Sequence, residues 1–424
     1  MLMFDDDVAT HTSPYYFPDE NDCRTCNLCV GNCPTFKVDR TPLESPRGRL
    51  KLIKKVLQDD QTLTAEEQHH LNNCVQCRAC EHVCPSKMAY GELLESVKVT
   101  SSQQQIASPL VRALLYATSD KNRLNQLTTT LRASQQWGLQ TLARRLGLFK
   151  VAIPEHLDDL LPNIPKPRRF KDVYPAIGER RGAVGLFTGC LTQALDATTL
   201  SAGINVLTRL GLDVHIPAAQ QCCGGLHQHN GDSATAQQLA AVNIEAFGAI
   251  SHLDAIVVTA SGCGDPLQRY AKTPPDGMSM HQAQQFAEKI MDINQFIAQQ
   301  PWPETARLEP LTITVAVHEP CSQRFPLGSH RSVYHILERI PGVKLIPLAE
   351  NHICCGAGGS YMITHPQKSD AIRAAKLAHL DATDAQLLVT SNIGCALHLL
   401  AGLNKSKTAV KVAHPVELLA QQLA

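Results

Sequence analysis

Two stretches of the sequence carry four cysteines each at identical intervals. Segment 22–36 reads DCRTCNLCVGNCPTF, and segment 73–87 reads NCVQCRACEHVCPSK. Both contain the pattern C-x-x-C-x-x-C-x-x-x-C-P, in which three cysteines recur at every third position and a proline follows the fourth. This feature constrains the fold more than any apolar pattern, because several thiolates must converge on one centre.

The spacing is typical of two cubane 4Fe–4S clusters, in which the fourth cysteine of each run binds the cluster of the other run. The predicted ligands of the first cluster are Cys23, Cys26, Cys29 and Cys84, and those of the second are Cys74, Cys77, Cys80 and Cys33. The alternative is zinc, but zinc-binding motifs commonly place two cysteines in each run rather than three followed by C-P.

The segment SPRGR lies between the two cysteine runs and contains Arg47 and Arg49. Positive charge near a cluster favours its reduced, more negative state and raises its potential. We therefore consider that these arginines tune a cluster, the alternative being a solvated pair on a loop.

The other eight of the sixteen cysteines form a second, duplicated pattern. They are Cys190, Cys222, Cys223 and Cys263 in one half, and Cys321, Cys354, Cys355 and Cys395 in the other. The first interval is 32 residues in one half and 33 in the other, and the last interval is 40 in both. In each half, two adjacent cysteines are followed by a glycine, which gives the string CCG. The thiols of adjacent residues in a strand point apart, so this glycine must allow a tight turn that brings both thiols toward one centre.

Each half can then offer up to four thiolates, enough for a further iron–sulfur cluster or a zinc ion. Buried reduced thiols without metal are the alternative. Four histidines accompany these cysteines, either as ligands and proton relays or as hydrogen-bonded core residues: His229, His318, His398 and His414.

A helical segment and a linker separate the two cysteine patterns. From about Ser101 to Leu160, apolar residues recur every three or four positions, which predicts helices. The recurring positions include Leu110, Ala113, Leu114, Leu142, Leu146 and Leu148. The segment LPNIPKPRRFKD that follows has three prolines, which predicts a linker and a domain boundary near Arg168.

Beyond the linker, short apolar runs alternate twice with amphipathic helical stretches, which predicts α/β repeats with buried strands. The predicted strands are GAVGLFTG, DVHIP and AIVVT in the first repeat, and ITVAVHEP, VKLIPL and LLVTSN in the second. In both repeats the first and last cysteines fall where a strand ends, the usual place for functional groups of open sheets.

The predicted fold combines α+β and α/β classes. It has an N-terminal α-helical, ferredoxin-like domain with two cluster-binding motifs, a helical spacer and a duplicated α/β CCG domain. The corresponding residues are 15–100, 101–165, 182–300 and 310–424.

Composition excludes some functions. Lys+Arg and Asp+Glu both number 39, so no net charge draws the chain to nucleic acid. The acidic N-terminus MLMFDDDVAT and the lack of an apolar stretch of about 18 residues predict a cytoplasmic chain. Any membrane contact is expected to be peripheral, and the sequence contains no dinucleotide or Walker-type motif.

The sequence resembles the iron–sulfur subunit of glycolate oxidase along nearly its whole length, from about Asp22 onward. The resemblance is carried by both cysteine runs, SPRGR, Gly189-Cys190, both CCG strings, SGCG, HEPC, CCGAGGSY, THP and NIGC with His398. It implies a complex on the cytoplasmic face of the inner membrane, in which an FAD-binding subunit oxidises glycolate or a related D-2-hydroxy acid. A second flavin-type subunit and a quinone-level electron acceptor are also implied, with no catalytic residue on this chain.

Related CCG proteins include heterodisulfide reductase, anaerobic glycerol-3-phosphate dehydrogenase and lactate-utilisation subunits. They imply the alternative of a reductase subunit with its own catalytic cluster, and a third alternative is a platform that docks the flavin subunits. The heterodisulfide reductase pattern has a cysteine three residues before the last one. Here those positions are Ala260 and Asn392, which argues against a noncubane cluster and disulfide cleavage.

Overall fold

The computed structural model describes residues 26–102, 108–139, 142 and 155–424. Cys23, and the predicted spacer positions Leu146 and Leu148, lie outside the described residues.

The N-terminal region is helical, and its two cysteine runs fold alike. Asn27 and Arg78, which occupy the same position of the two motifs, both have a positive φ and precede a four-residue helix. A 3-10 turn spans Pro42–Glu44. The helices are α1 Leu28–Gly31, α2 Pro34–Asp39, α3 Pro46–Leu57, α4 Ala65–Asn72, α5 Ala79–His82 and α6 Tyr90–Ser102.

Two helices fall in the predicted spacer, α7 Pro109–Thr118 and α8 Lys121–Gln136, and each begins at a side-chain cap, Ser108 or Asp120. A short helix, α9 Glu155–Leu160, follows. The proline-rich segment after it contains no helix or strand up to residue 172, as its composition predicts.

Two parallel sheets follow, one per repeat. The first contains β1 Val173–Tyr174, β2 Gly182–Phe187, β3 Leu212–His215, β4 Ala255–Val258 and β5 Ile290–Asp292, in the order β1-β3-β2-β4-β5. The second contains β6 Ile313–His318, β7 Val343–Pro347, β8 Leu387–Thr390 and β9 Lys411–Ala413, in the order β7-β6-β8-β9. Apart from the antiparallel edge strand β1, the two orders are the same, so the predicted duplication is confirmed.

The helices of the repeats lie between and around these strands. In the first repeat they are α10 Leu191–Leu195, α11 Ala197–Arg209, α12 Gly225–His229, α13 Ser233–Gly248, α14 Ser261–Arg269, α15 Met280–Glu288 and α16 Ile293–Gln299. In the second they are α17 Cys321–Arg324, α18 Arg331–Leu337, α19 Tyr361–Thr364, α20 Pro366–Asp381, α21 Ile393–Ser406 and α22 Pro415–Gln422.

The two repeats share one apolar core. Val184 and Leu186 of β2 belong to the same buried cluster as Val315 and Val317 of β6, and the C-terminal helix α22 packs on α11 across the boundary. Burial of this apolar surface fixes the repeats against each other. The predicted domain boundaries themselves stay predictions. None of the described helices is long and apolar enough to cross a bilayer.

Candidate redox centre

The four cysteines predicted for the second cluster line one small cavity in the helical region. They are Cys33, Cys74, Cys77 and Cys80. Cys33 thus comes from the first run and the other three from the second, as the predicted exchange of the fourth ligand requires. That these residues bind a cluster stays a prediction.

The surroundings of this cavity fit a metal centre. Burial raises the pKa of Cys77, and the neighbouring thiols of Cys321 and Cys80 raise it further. Several thiolates here therefore need compensating positive charge, which the iron ions of a cluster would bring. Two groups also donate toward sulfur, namely the Gln76 backbone N–H at 3.4 Å from Cys74 Sγ and the Arg49 guanidinium at 3.8 Å from Cys33 Sγ.

The described members of the other predicted set lie nearer the surface. Cys26 is exposed, and Cys29 and Cys84 are half-buried. Helices α1 and α5 pack on each other, so the two cysteine runs are neighbours. If both clusters form, one is close to solvent and the other is enclosed.

Arg49 is buried, contrary to the alternative of a solvated pair on a loop. It lies in helix α3 with 1% of its surface exposed and pairs with the buried carboxylate of Glu44. Arg47 is partly exposed and donates to Asn27 Oδ1 at 2.7 Å. Among the described residues, Arg49 is the arginine of this pair that donates to a predicted cluster ligand.

All eight CCG cysteines line a second, shared cavity of about 160 Å³ between the repeats. The Sγ atoms of Cys190 and Cys222 are 3.4 Å apart, and those of Cys321 and Cys354 are 3.9 Å apart. The spacing of the cysteines within each half predicted one centre per repeat. It did not predict that the cysteines of both repeats line the same cavity.

The predicted strand ends and turns position these thiols. Cys190 and Cys321 follow the ends of β2 and β6, whereas Cys263 and Cys395 lie in the first turns of α14 and α21, directly after β4 and β8. The CCG glycines, Gly224 and Gly356, have φ values of 74° and 93°, which only glycine adopts readily. They open the turns that the adjacent cysteines require.

Asn392 occupies the place of the additional cysteine in the second repeat. Its amide Nδ2 donates to Cys395 Sγ at 3.3 Å, and its Oδ1 accepts from the Gly262 backbone N–H of the first repeat at 3.3 Å. Asn392 therefore holds a thiol in place and joins the repeats.

One of the four histidines has the geometry of a ligand. Atoms of His318, Cys355 and Cys395 lie within 4.8 Å of one another, a metal-binding arrangement among the described residues. Burial lowers the pKa of His318 to about 3, helped by the charge of Lys376, so the ring is neutral, and its Nδ1 lies 2.9 Å from Thr390 Oγ1. The residue at the same place in the first repeat, three before Cys190, is Phe187, so the repeats differ here.

The side chains of His398 and His414 make structural contacts, whereas His229 lines the CCG cavity. His398 is hydrogen-bonded to Ser369, His414 Nε2 lies 2.9 Å from the Thr259 carbonyl oxygen, and the carbonyl oxygen of His229 accepts from Lys98. For His398 and His414, the expectation of hydrogen-bonded core residues is met.

The two cavities meet at Cys77. This residue lines both of them, together with Val75 and Arg78. Val75 and Cys354 belong to one buried apolar cluster, against which Cys77 and Cys321 pack. No local pattern of the sequence predicts this contact, because the partners come from segments more than 200 residues apart.

An ionic network fixes the helical region on the first repeat. Glu95 of α6 is buried and accepts from both terminal nitrogens of Arg269 in α14, at 2.8 and 2.5 Å. Arg78 bridges Glu95 and Asp265, at 3.5 and 3.2 Å. Charges paired in this way hold the two cavities in a fixed relation.

Comparison with known proteins gives the same organisation. A 4Fe-4S dicluster domain model matches residues 20–88, a cysteine-rich CCG domain model matches 184–268 and 315–400, and a model described as the linker region of the glycolate oxidase iron-sulfur subunit matches 108–161. A dicluster domain joined to two CCG repeats defines an iron–sulfur electron-transfer subunit.

Two curated relatives span nearly the whole chain. The "Probable glycolate oxidase iron-sulfur subunit" of Bacillus subtilis (strain 168) is 31% identical over 92% of this chain and 90% of its own length. The "Glycolate oxidase iron-sulfur subunit" of Escherichia coli (strain K12) is 30% identical over 95% and 93%. The chain belongs to the glycolate oxidase iron–sulfur subunit family. A more distant relative, "Lactate utilization protein A" of Geobacillus sp. (strain WCH70), is 26% identical over 56% of this chain and 98% of its own.

Proposed function

We propose that this chain carries electrons within a complex that oxidises glycolate or a related D-2-hydroxy acid. The hydroxy acid is oxidised at FAD on a partner subunit, a second flavin-type subunit completes the complex, and the electrons leave toward a quinone-level acceptor. Membership of the glycolate oxidase iron–sulfur subunit family supports this division of labour, as does the absence of a dinucleotide motif from the sequence.

The electron path runs through two 4Fe–4S clusters into the CCG cavity. One cluster is held by Cys23, Cys26, Cys29 and Cys84, and the other by Cys74, Cys77, Cys80 and Cys33. The observation that carries this path is the position of Cys77, which lines both the enclosed cluster cavity and the CCG cavity. The exposed Cys26 marks the other end of the path, where electrons enter from the partner.

The CCG cysteines hold a further iron–sulfur centre, for which the shared cavity supplies eight thiols. That cavity also favours a second candidate function, a reductase whose own catalytic centre lies between the repeats. The two functions differ in where the acceptor is reduced, at this chain or at another subunit.

Metal analysis of anaerobically purified chain tests the proposal. We expect about twelve to sixteen irons per chain, because two cubanes account for about eight and an occupied CCG site for the rest. About eight irons and eight sulfides would mean that the CCG site holds no cluster. Zinc without inorganic sulfide would refute the proposal.

Paired variants separate the roles of the two cavities. We expect Cys77→Ser to abolish electron transfer from the flavin partner to an added acceptor and to remove one cluster signal from the electron paramagnetic resonance spectrum. Cys355→Ser should leave both cubane signals but stop transfer beyond them. If Cys355→Ser leaves transfer unchanged, the CCG cysteines are structural.

Hydroxy-acid-dependent dye reduction by the isolated chain would contradict a catalytic flavin on the partner.

A further inference from the structure

A large groove runs between the two repeats beside the CCG cavity. Its volume is about 1050 Å³, and Thr192, Asn392 and Ile393 line both the groove and the cavity. A molecule in the groove is therefore separated from the cysteines by a single layer of side chains. The volume is at the upper end of the range for small-molecule sites.

The groove offers both apolar and polar surface. Leu195, Ile393, Leu397 and Leu400 supply aliphatic wall, while the carboxyl groups of Asp196 and Glu417 lie on the same lining. This combination suits an organic molecule with an apolar body and a few polar atoms, and a few placed polar groups are typical of such sites.

The two carboxyl groups are joined through one hydroxyl group. Thr199 Oγ1 lies 2.7 Å from Asp196 Oδ2 and 2.7 Å from Glu417 Oε1. The Thr199 hydroxyl has one proton, so it can donate a hydrogen bond to only one of the two carboxyl groups. The other carboxyl group must be protonated and donate a hydrogen bond to the hydroxyl oxygen. Because Glu417 Oε1 also accepts the His414 backbone N–H at 3.1 Å, the arrangement places the extra proton on Asp196.

Burial and the negative charge of Glu417 favour a proton on Asp196. Burial raises the pKa of Asp196 to about 7, and the negative charge of Glu417 contributes to the rise. The other charged or titratable groups that line the groove are Asp158, Asp159, Lys405, Lys407 and His414. Of these, Lys405 pairs with Asp159 at 2.6 Å, and the His414 ring is hydrogen-bonded to Thr259.

We propose that this groove binds a quinone-class electron acceptor and that Asp196 supplies one of the two protons taken up when the acceptor is reduced. The inference rests on the second candidate function, in which the acceptor is reduced at this chain, because the two electrons come from the hydroxy acid through the iron–sulfur centres. Reduction of a quinone to a quinol consumes two electrons and two protons. Asp196 gives one proton to a quinone oxygen and regains it from solvent, and the second proton enters from solvent through the open groove.

The test compares two acceptors in the reconstituted complex of this chain with its flavin partners. A short-chain ubiquinone analogue takes electrons and protons, whereas ferricyanide takes electrons alone. We expect Asp196→Asn to lower quinone reduction about 100-fold, the lower end of general acid catalysis, with ferricyanide reduction unchanged. Leu397→Trp, which fills the groove, should likewise abolish only quinone reduction. Asp276→Asn, an exposed aspartate outside the groove, is the matched control and should change neither rate.

The pH profile distinguishes proton donation from a structural effect. Since the protonated acid is the donor, wild-type quinone reduction should fall as pH rises through about 7. Glu417→Gln removes the neighbouring negative charge and should move this fall to lower pH, and Asp196→Asn should abolish it.

Three results would overturn the inference: unchanged quinone reduction by Leu397→Trp, an unshifted pH profile in Glu417→Gln, or equal loss of ferricyanide and quinone reduction in Asp196→Asn. A wild-type complex that reduces neither acceptor would instead refute the proposed function.

Discussion

Arg49 combines a buried positive charge with a position next to Cys33. Its guanidinium donates to Thr35 Oγ1 at 3.0 Å and to the His70 carbonyl oxygen at 2.7 Å. It also pairs with Glu44, whose side chain is 2% exposed. A charge that is this well enclosed acts on a neighbouring cluster with little screening by water.

We expect Arg49→Gln to lower the midpoint potential of one cluster and to destabilise the chain. Loss of the positive charge disfavours the more negative reduced state. It also leaves Glu44 buried without its arginine, which costs about 3 kcal/mol, the lower end for a broken buried pair, because His70 still bonds to it. Redox titration followed by electron paramagnetic resonance, together with denaturant unfolding, measures the two effects.

Arg47→Gln is the matched control, since Arg47 is partly exposed and its side chain reaches Asn27. Arg47→Gln should change neither the midpoint potential of a cluster nor the free energy of unfolding appreciably. Equal potentials for the two variants would show that Arg49 does not act on a cluster.

At the scale of single residues, the sequence predicted the grouping of Cys33 with the second cysteine run but not the surroundings of these thiols. The motif spacing is local, so it predicted that Cys33 joins Cys74, Cys77 and Cys80, which the structure brings to one cavity. The burial of Arg49 depends on Glu44 and on segments more than 20 residues away, and no local pattern encodes it.

The CCG turns are the elements that bring each pair of adjacent thiols together. In the second repeat, Gly356 has a φ of 93°, and a Cβ added there would lie 2.7 Å from the Ser369 carbonyl oxygen of helix α20. The turn is thus constrained both by its own backbone and by the helix packed against it. A side chain at this position must displace either the thiols or the helix.

Gly356→Ala should therefore cost about 3 kcal/mol of stability, about 1 from the positive φ and about 2 from overlap with α20. We also expect loss of any metal bound by Cys354 and Cys355, because the turn moves. Denaturant unfolding and metal content are the measurements.

Gly277→Ala isolates the backbone contribution, because Gly277 has a φ of 81° and an added Cβ meets nothing within 4 Å. It should cost only about 1 kcal/mol. If the two variants are equally destabilised, packing against α20 does not constrain the turn.

Periodicity predicted the elements of the repeats because each strand and helix is defined by a local pattern. GAVGLFTG contains β2, ITVAVHEP contains β6, and the helix expected near Thr235 is α13. Convergence of the two repeats on one cavity was not predictable, since it depends on packing across the shared core around Val184 and Val315. The asymmetry between Phe187 and His318 is visible in the sequence once the repeats are aligned.

In the whole molecule, three regions of sequence meet at Cys77. Tyr361 of the second repeat donates to Asn73 Oδ1 at 3.0 Å across a separation of 288 residues, and Glu95 joins the helical region to Arg269 of the first repeat. The route between the two cavities thus depends on contacts between distant segments, which local sequence patterns do not predict. The stability of this assembly should depend on the charge of Glu95.

Burial alone would raise the pKa of Glu95, but hydrogen bonds from Arg269 and its charge, with further contributions from His229 and Arg78, lower it to about 2. A lowered pKa means that the stabilisation is fully present above the unfolded value near 4.5 and is lost as pH falls toward 2. The lowered pKa of Glu95 corresponds to about 3 kcal/mol of the free energy of unfolding at neutral pH. Glu95→Gln should lose this amount near pH 7.

The difference between wild type and Glu95→Gln should shrink as unfolding is measured from pH 7 down to about pH 3.5, because below about pH 4.5 Glu95 takes up a proton in the unfolded wild-type chain while the folded carboxylate stays ionised until about pH 2. Glu92→Gln is the control: its partner Lys272 is 64% exposed, so the loss should stay below about 1 kcal/mol. A difference for Glu95→Gln that stays constant with pH, or equals that of Glu92→Gln, would mean that the charge of Glu95 does not hold the helical region on the first repeat.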